Sequence, residues 1–245
     1  MQNAPRREIL SRVYEIHEEW LYSFTWACHE GCASCCTQSV TMTTLEGQRM
    51  VEFLADHGRL GELAALASAP SPPETVPLTF NGFARHCLAG EEPAEPTSTD
   101  WDFTPCPFLA DNRCTVYPAR PMGCRAFVSK SDCGRTGSAE VEPLVITINT
   151  IFLQFIEHLD QRGYWGRMID ILAELDPQKE QPKMPGMAKT PQEAAKGALR
   201  VAEPLEGFLV PPEEQTAVEP LFQRIMACVV EGQPIGEWLG LAGHD

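Results

Sequence analysis

Cys28-His29-Glu30-Gly31-Cys32-Ala33-Ser34-Cys35-Cys36 places four thiols within nine residues, in the spacing C-x3-C-x2-C-C. A second arm follows downstream: Cys106-Pro107-Phe108-Leu109, then Cys114-Thr-Val-Tyr117-Pro-Ala-Arg120-Pro121-Met-Gly-Cys124-Arg125, with Cys133 nine residues further on. Thiolate is the soft, negative ligand that zinc and iron-sulfur clusters both accept, and a tetrahedral four-sulfur site fits either. Cys28, Cys32, Cys35, Cys36, Cys106, Cys114 and Cys124 are therefore candidate metal ligands, with Cys133 as an eighth, and together they suffice for one or two metals. Spacing does not choose between zinc and an iron-sulfur cluster. The adjacent Cys35 and Cys36 favour more than one simple four-thiolate ion, because neighbours on an extended chain point apart. The Cys106-Pro107 step also occurs in bacterial ferredoxin runs.

The surroundings of these arms bound the chemistry. At 245 residues and 43% hydrophobic content the chain can bury a real core. Its formal net charge of -15 argues against a nucleic-acid or anionic-membrane surface, since polyphosphate would be repelled over most of the protein. Against that background, residues 106–133 carry Arg113, Arg120, Arg125 and Lys130 beside only Asp111 and Asp132. A guanidinium near a thiolate lowers the cysteine pKa and offsets the negative charge of a sulfur-rich site, a role open to each of these arginines, with Arg125 the one to test for it. Ten cysteines in a chain of this length fall well below the density of a small disulfide scaffold. No export signal is read in the charged first residues, and no apolar run reaches bilayer length. A reduced cytoplasm is expected, where clustered cysteines are metal ligands rather than disulfides. No nucleic-acid or membrane partner is expected, and a protein partner stays open.

Hydrophobic periodicity predicts a mainly α fold: a small helical domain with two cysteine-bearing loop arms joined by bound metal. Ile9, Val13, Ile16, Trp20 and Phe24 form one face of a helix over 5–27 that delivers Cys28 to the first arm. Thr43-Thr-Leu-Glu46 reads as a capping box opening a helix that ends near Gly58, followed by a short helix to Ala67. A helical piece over 80–88 sits between proline-rich connections at 70–77 and 89–99. The second arm, with Pro105, Pro107, Pro118 and Pro121, should be loop and turn. From Pro143, Leu144, Ile148, Ile151, Phe152, Phe155, Ile156 and Leu159 give the best amphipathic helix, although its β-branched opening also fits a strand. Helices over 165–175 and 218–230 complete the reading, the first paired with its predecessor as a hairpin. The domains are then a cysteine-cluster domain at 1–175, a proline-rich linker at 176–196 and a helical extension at 197–245.

The ordered cysteines, together with Pro107, Phe108, Leu109, Tyr117, Arg120, Pro121 and Arg125, resemble the YkgJ-like cysteine-cluster family, whose domain is described as zinc- or iron-chelating. The resemblance covers 28–36 and 106 to about 128, and implies that the seven cysteines from Cys28 to Cys124 form the chelating cluster. Cys133, Cys87 and Cys228 fall outside the matching positions. Metal binding through the two arms is the function this implies, with no identifiable catalytic site. The alternative is an iron-sulfur-dependent redox or protein-modifying enzyme, since the flagellin lysine methylase resembles the same group. Methyl transfer rests on that analogy alone, since no glycine-rich loop after a strand is seen for its cofactor. Cys28, Cys32 and Cys35 also fit the C-x3-C-x2-C triad of radical S-adenosylmethionine enzymes, but Ser34 stands where an aromatic residue is usual, and the alternating strands and helices of a partial barrel are not seen. Of the remaining candidates, His29 reads as solvent-exposed, His86 and Cys87 as packing or capping residues, and Cys228 as a small core residue on the apolar side of its helix with Phe222, Ile225 and Val229. Tyr117 and Phe127 read as covers over the site, Trp101 and Phe108 as core.

Overall fold

A computed structural model describes residues 3–29, 31–67, 78–92, 103–177 and 199–241. Its centre is the helix α7 (Pro143–Leu159), which carries buried residues on most of its circumference. Pro143 occupies its first turn, where a missing N–H is harmless and the fixed φ is already helical, so the β-branched opening enters as helix and not as strand. Two apolar faces close around it. α1 (Asn3–Leu21) contributes Ile9, Leu10, Val13 and Ile16; a C-terminal helix, α9 (Gln215–Ala227), contributes Val218, Leu221 and Ile225. His17 and Asn149 add a buried hydrogen bond of 2.8 Å between α1 and α7.

α1 ends at Leu21, six residues before the predicted boundary. Aromatic side chains take over there: the Trp26 indole N–H donates to the Leu21 carbonyl at 3.0 Å, and the Ser23 hydroxyl to that of Trp20 at 2.6 Å. Orphan carbonyls of the last turn are thus satisfied by the chain that leads to Cys28.

A second apolar cluster lies under the cysteine arms. Met42 of β1 (Thr41–Thr43), Met50 and Leu54 of α2 (Thr44–Asp56), Leu63 of α3 (Gly61–Ala67), and Ile169, Ile171 and Leu172 of α8 (Met168–Glu174) form it together with Phe108, Val116 and Ala119 from the second arm. The capping box at Thr43 is present in full: the Thr43 hydroxyl accepts from the Glu46 N–H, and the Glu46 carboxylate accepts from the Thr43 N–H. α4 (Phe80–Leu88) packs on α7, with its Asn81 donating to the Gln154 carbonyl.

The predicted helix over 165–175 is corrected by the structure. Its first residues form the strand β4 (Tyr164–Arg167), antiparallel to β1 on one side and to β5 (Leu199–Val201) on the other, and α8 begins only at Met168. Aromatic Tyr164 and Trp165 suit a pleated, buried surface, and ladders on both edges outweigh the local helical pattern. β5 thereby joins residues beyond the predicted linker to the central sheet.

The predicted helix over 218–230 also ends early. Cys228 is its C-cap, with its N–H on the Ile225 carbonyl at 3.3 Å, and Val229 turns out to solvent in a hairpin of β6 (Val229–Val230) and β7 (Gln233–Pro234) before α10 (Ile235–Trp238). Cys228 itself packs against the α1–α7 core. Trp101, the connection 70–77 and most of the predicted tether at 176–192 lie outside the described residues. Among the described residues, no helix is long and apolar enough to cross a membrane.

Candidate metal centre

The first arm is a succession of turns. Gly31 takes a left-handed φ of 90°, which only glycine adopts without strain, and the Cys32 N–H closes back on the His29 carbonyl at 3.0 Å. Further on, the Cys36 N–H donates to the Ala33 carbonyl at 2.9 Å and the Thr37 N–H to that of Cys35 at 3.0 Å. The chain at Cys35-Cys36 is therefore folded, not extended. The two thiols are not sent to opposite sides, as alternation would predict: they line the same cavity.

Backbone hydrogen bonds hold this arm to the second at both ends. At its far end the Cys106 N–H donates to the Cys36 carbonyl at 2.9 Å, the Gln38 N–H donates to the Thr104 carbonyl at 2.9 Å, and Thr37 bridges Pro105. At its near end the Ala27 N–H donates to the Ser129 carbonyl at 2.9 Å.

The second arm is built from short, proline-bounded pieces. β2 (Leu109–Ala110) and β3 (Arg113–Cys114) form a hairpin whose turn residues, Asp111 and Asn112, both have positive φ, and it sets Cys114 opposite Leu109. Phe108 plugs the cluster beneath. A single 3-10 turn (Tyr117–Ala119) leads to α5 (Met122–Arg125), which carries Cys124. That short helix lies directly on β1: a Cβ at Gly123 would stand 2.5 Å from the Thr41 carbonyl oxygen. Its first N–H, from Met122, donates at 2.7 Å to Glu46 Oε1, which also accepts from the Tyr14 hydroxyl at 2.8 Å. Glu46 thus caps α2, receives α1 and anchors α5 with one buried carboxylate.

Seven cysteines line one cavity of about 580 Å³ between the arms: Cys28, Cys32, Cys35, Cys36, Cys106, Cys114 and Cys124. Cys133, at the start of α6 (Cys133–Thr136), does not line it but stands near enough to Cys28 to act on it electrostatically. Cys87 is exposed on α4, and neither Cys87 nor Cys228 reaches the cavity. His29 sits exposed at the rim with Nδ1 on the Ala27 carbonyl. Tyr117 and Phe127 form part of the wall while keeping about half of their surface in solvent. Among the described residues, no three Cys, His, Asp or Glu side chains converge tightly enough to coordinate one ion as placed. The donor set has the right chemistry and shares one space, so closing on an ion asks for thiol rotations across the cavity.

The electrostatics favour such a cation. Burial raises the pKa of Cys28 and Cys106 and raises that of Cys124 strongly, with Cys106 and Cys114 adding repulsion at Cys124. The hydrogen bond to Cys36 raises Cys35 strongly and, in return, lowers Cys36. Thiols held neutral by burial and mutual repulsion become thiolates when a divalent ion supplies the missing charge. The protein's own counter-charge is Arg120. It lines the cavity, lies 3.7 Å from the Tyr117 ring centroid, and favours the thiolate form of both Cys35 and Cys124.

Arg125 does not play the compensating part assigned to it from sequence. Its guanidinium is buried on the opposite side of α5, 4.3 Å from the Tyr14 ring centroid and 3.8 Å from the Glu18 carboxylate, and donates to the carbonyls of Arg120 and Pro118. Consecutive helical residues point about 100° apart, so Cys124 faces the cavity while its neighbour Arg125 packs on Tyr14 of α1. Lys130 is paired with Glu142.

Comparison with known families bears on this geometry. Residues 27–142 match the model of the CxxCxxCC family, described as a "putative zinc- or iron-chelating domain". Residues 27–142 belong to this family. The CxxCxxCC domain contains both arms, Cys133 and Cys87, and stops one residue before α7, so that α1 and α7 bracket it as outside support. No curated protein and no solved structure matches the chain.

Proposed function

We propose that this chain is a thiolate metal-binding protein whose arms are joined by zinc or an iron centre held by Cys28, Cys32, Cys35, Cys36, Cys106, Cys114, Cys124 and Cys133. The observation that carries the reading is the convergence of seven cysteines, drawn from stretches far apart in sequence, on one cavity in a domain of a chelating family. Bound zinc would act structurally by closing the loop between the arms; an iron-sulfur centre would add one-electron chemistry. The chain's own contribution is a rigid frame, in which Glu46 fixes α5, the Cys36–Cys106 backbone bond fixes the junction of the arms, and Arg120 lowers the energy of the thiolate state. Element analysis and an absorption spectrum of anaerobically purified protein test this. Stoichiometric zinc in colourless protein, or iron with visible sulfur-to-iron charge-transfer bands, is the expected result; folded protein free of both metals contradicts it.

A further inference from the structure

The two ends of the first arm face different parts of the second, and this divides the thiols. At the near end, the Cys28 sulfur and the Ala27 N–H both approach the Ser129 carbonyl, the thiol at 4.0 Å. The Ser129 hydroxyl in turn donates to the Ser131 carbonyl, which the Cys133 thiol approaches at 3.8 Å. The start of α6 leans on the first arm, since a Cβ at Gly134 would stand 3.5 Å from Ser34 Oγ, next to Cys35. At the far end, Cys36 and Cys106 share a backbone hydrogen bond, the Leu109 N–H turns back to the Cys106 carbonyl at 3.0 Å, and the hairpin sets Cys114 across from Leu109. α5 brings Cys124 to the same side through its seat on Val40 and Thr41.

We infer that the cluster is two adjoining four-thiol metal sites, one formed by Cys28, Cys32, Cys35 and Cys133 and the other by Cys36, Cys106, Cys114 and Cys124, meeting at the Cys35–Cys36 pair. The inference rests on the metal-binding reading and gives Cys133 a definite place. Each site has the four sulfurs that a closed tetrahedral ion needs, and the turn at Cys35-Cys36 hands one thiol to each. Four thiolates on a divalent ion leave a net charge of about -2 per site, and Arg120, which lines the same cavity as Cys35 of one site and Cys124 of the other, supplies a cation against that excess.

Co2+ titration of the reduced, metal-stripped full chain, read by native mass spectrometry and thiolate-to-cobalt absorption, tests the division. Two ions should bind the native chain, one should remain in Cys133→Ser and in Cys28→Ser, and one in Cys114→Ser, with circular dichroism confirming helical content. Independently of any variant, alkylation of the loaded native chain should modify Cys87 and Cys228 and spare the other eight cysteines. A single bound ion with four or more cluster thiols open to alkylation, or two ions retained in Cys133→Ser, overturns the two-site division while leaving metal binding intact. No uptake by the native chain overturns both readings.

Discussion

The Met122 N–H donates to Glu46 Oε1 at 2.7 Å, so the helix that carries Cys124 starts on a carboxylate that belongs to another helix's capping box. Replacing Glu46 by alanine strands the Met122 and Thr43 N–H groups and the Tyr14 hydroxyl without their acceptor in a buried setting. Each such loss costs about 1–3 kcal/mol, so Glu46→Ala should lower unfolding free energy by roughly 3 kcal/mol or more. Denaturant titration of the metal-loaded protein measures this; a loss below about 1 kcal/mol would mean that Glu46 does not anchor α5.

Arg120 and Arg125 should separate cleanly. Arg120→Ala removes the cation that favours the Cys35 and Cys124 thiolates, and should weaken metal affinity by about tenfold with little change in the fold. Arg125→Ala removes a buried guanidinium from the Tyr14 ring and two carbonyls, and should cost about 1.5–3 kcal/mol of stability. A chelator competition assay beside thermal melts distinguishes them, and the reverse pattern would return the compensating role to Arg125.

Several parts of this site were legible in the sequence. The cysteine spacing named the thiols that share the cavity, and the capping box at Thr43 and Glu46 formed as read. The three-four periodicity located α1 and α7, because their faces are written in consecutive residues. What escaped was the work of contacts distant in sequence. Trp165 opens a segment read as helix and becomes part of a strand because β1 and β5 pair on either side. Arg120 and Arg125 are equivalent in a linear reading, and only the seat of α5 on β1 turns one toward sulfur and the other toward Tyr14. Likewise, the carboxylate oxygen of Glu46 that the capping box leaves free carries no sequence signal for its partner at Met122.

Asp160 supplies a pH test of the frame. Burial pushes its carboxyl up to about 7, although its side chain accepts from the Leu45 N–H at 2.8 Å. The folded state therefore holds a proton that the unfolded chain releases near its ordinary pKa of 3.8. Stability from this group is complete below about pH 4 and is lost as pH rises through 7. Asp160→Asn keeps an acceptor for Leu45 and removes the titration, so its stability relative to the native chain should rise between pH 4 and 8. His17, lowered to about 4 by burial, acts in the opposite sense below 6.5 but is common to both proteins. A difference independent of pH would refute the buried, proton-holding state of Asp160.

Removing metal should act locally. The second arm has little regular structure of its own, while α1, α7 and α9 share an apolar core that includes no arm cysteine. Chelation should expose residues 103–142 to proteolysis well before that core melts. Mapping of the first cleavage sites by mass spectrometry checks this, and first cuts within α7 would place the weakest region elsewhere.

The most direct test of the central claim is metal content per chain in Cys124→Ser and Cys87→Ser, purified side by side. Cys124 lines the cavity and Cys87 lies exposed on α4. Exchange of a thiolate for a neutral hydroxyl opens a coordination position at the first and touches nothing at the second. The account predicts reduced zinc or iron in Cys124→Ser and native content in Cys87→Ser; full occupancy in the former, or loss in the latter, would contradict it.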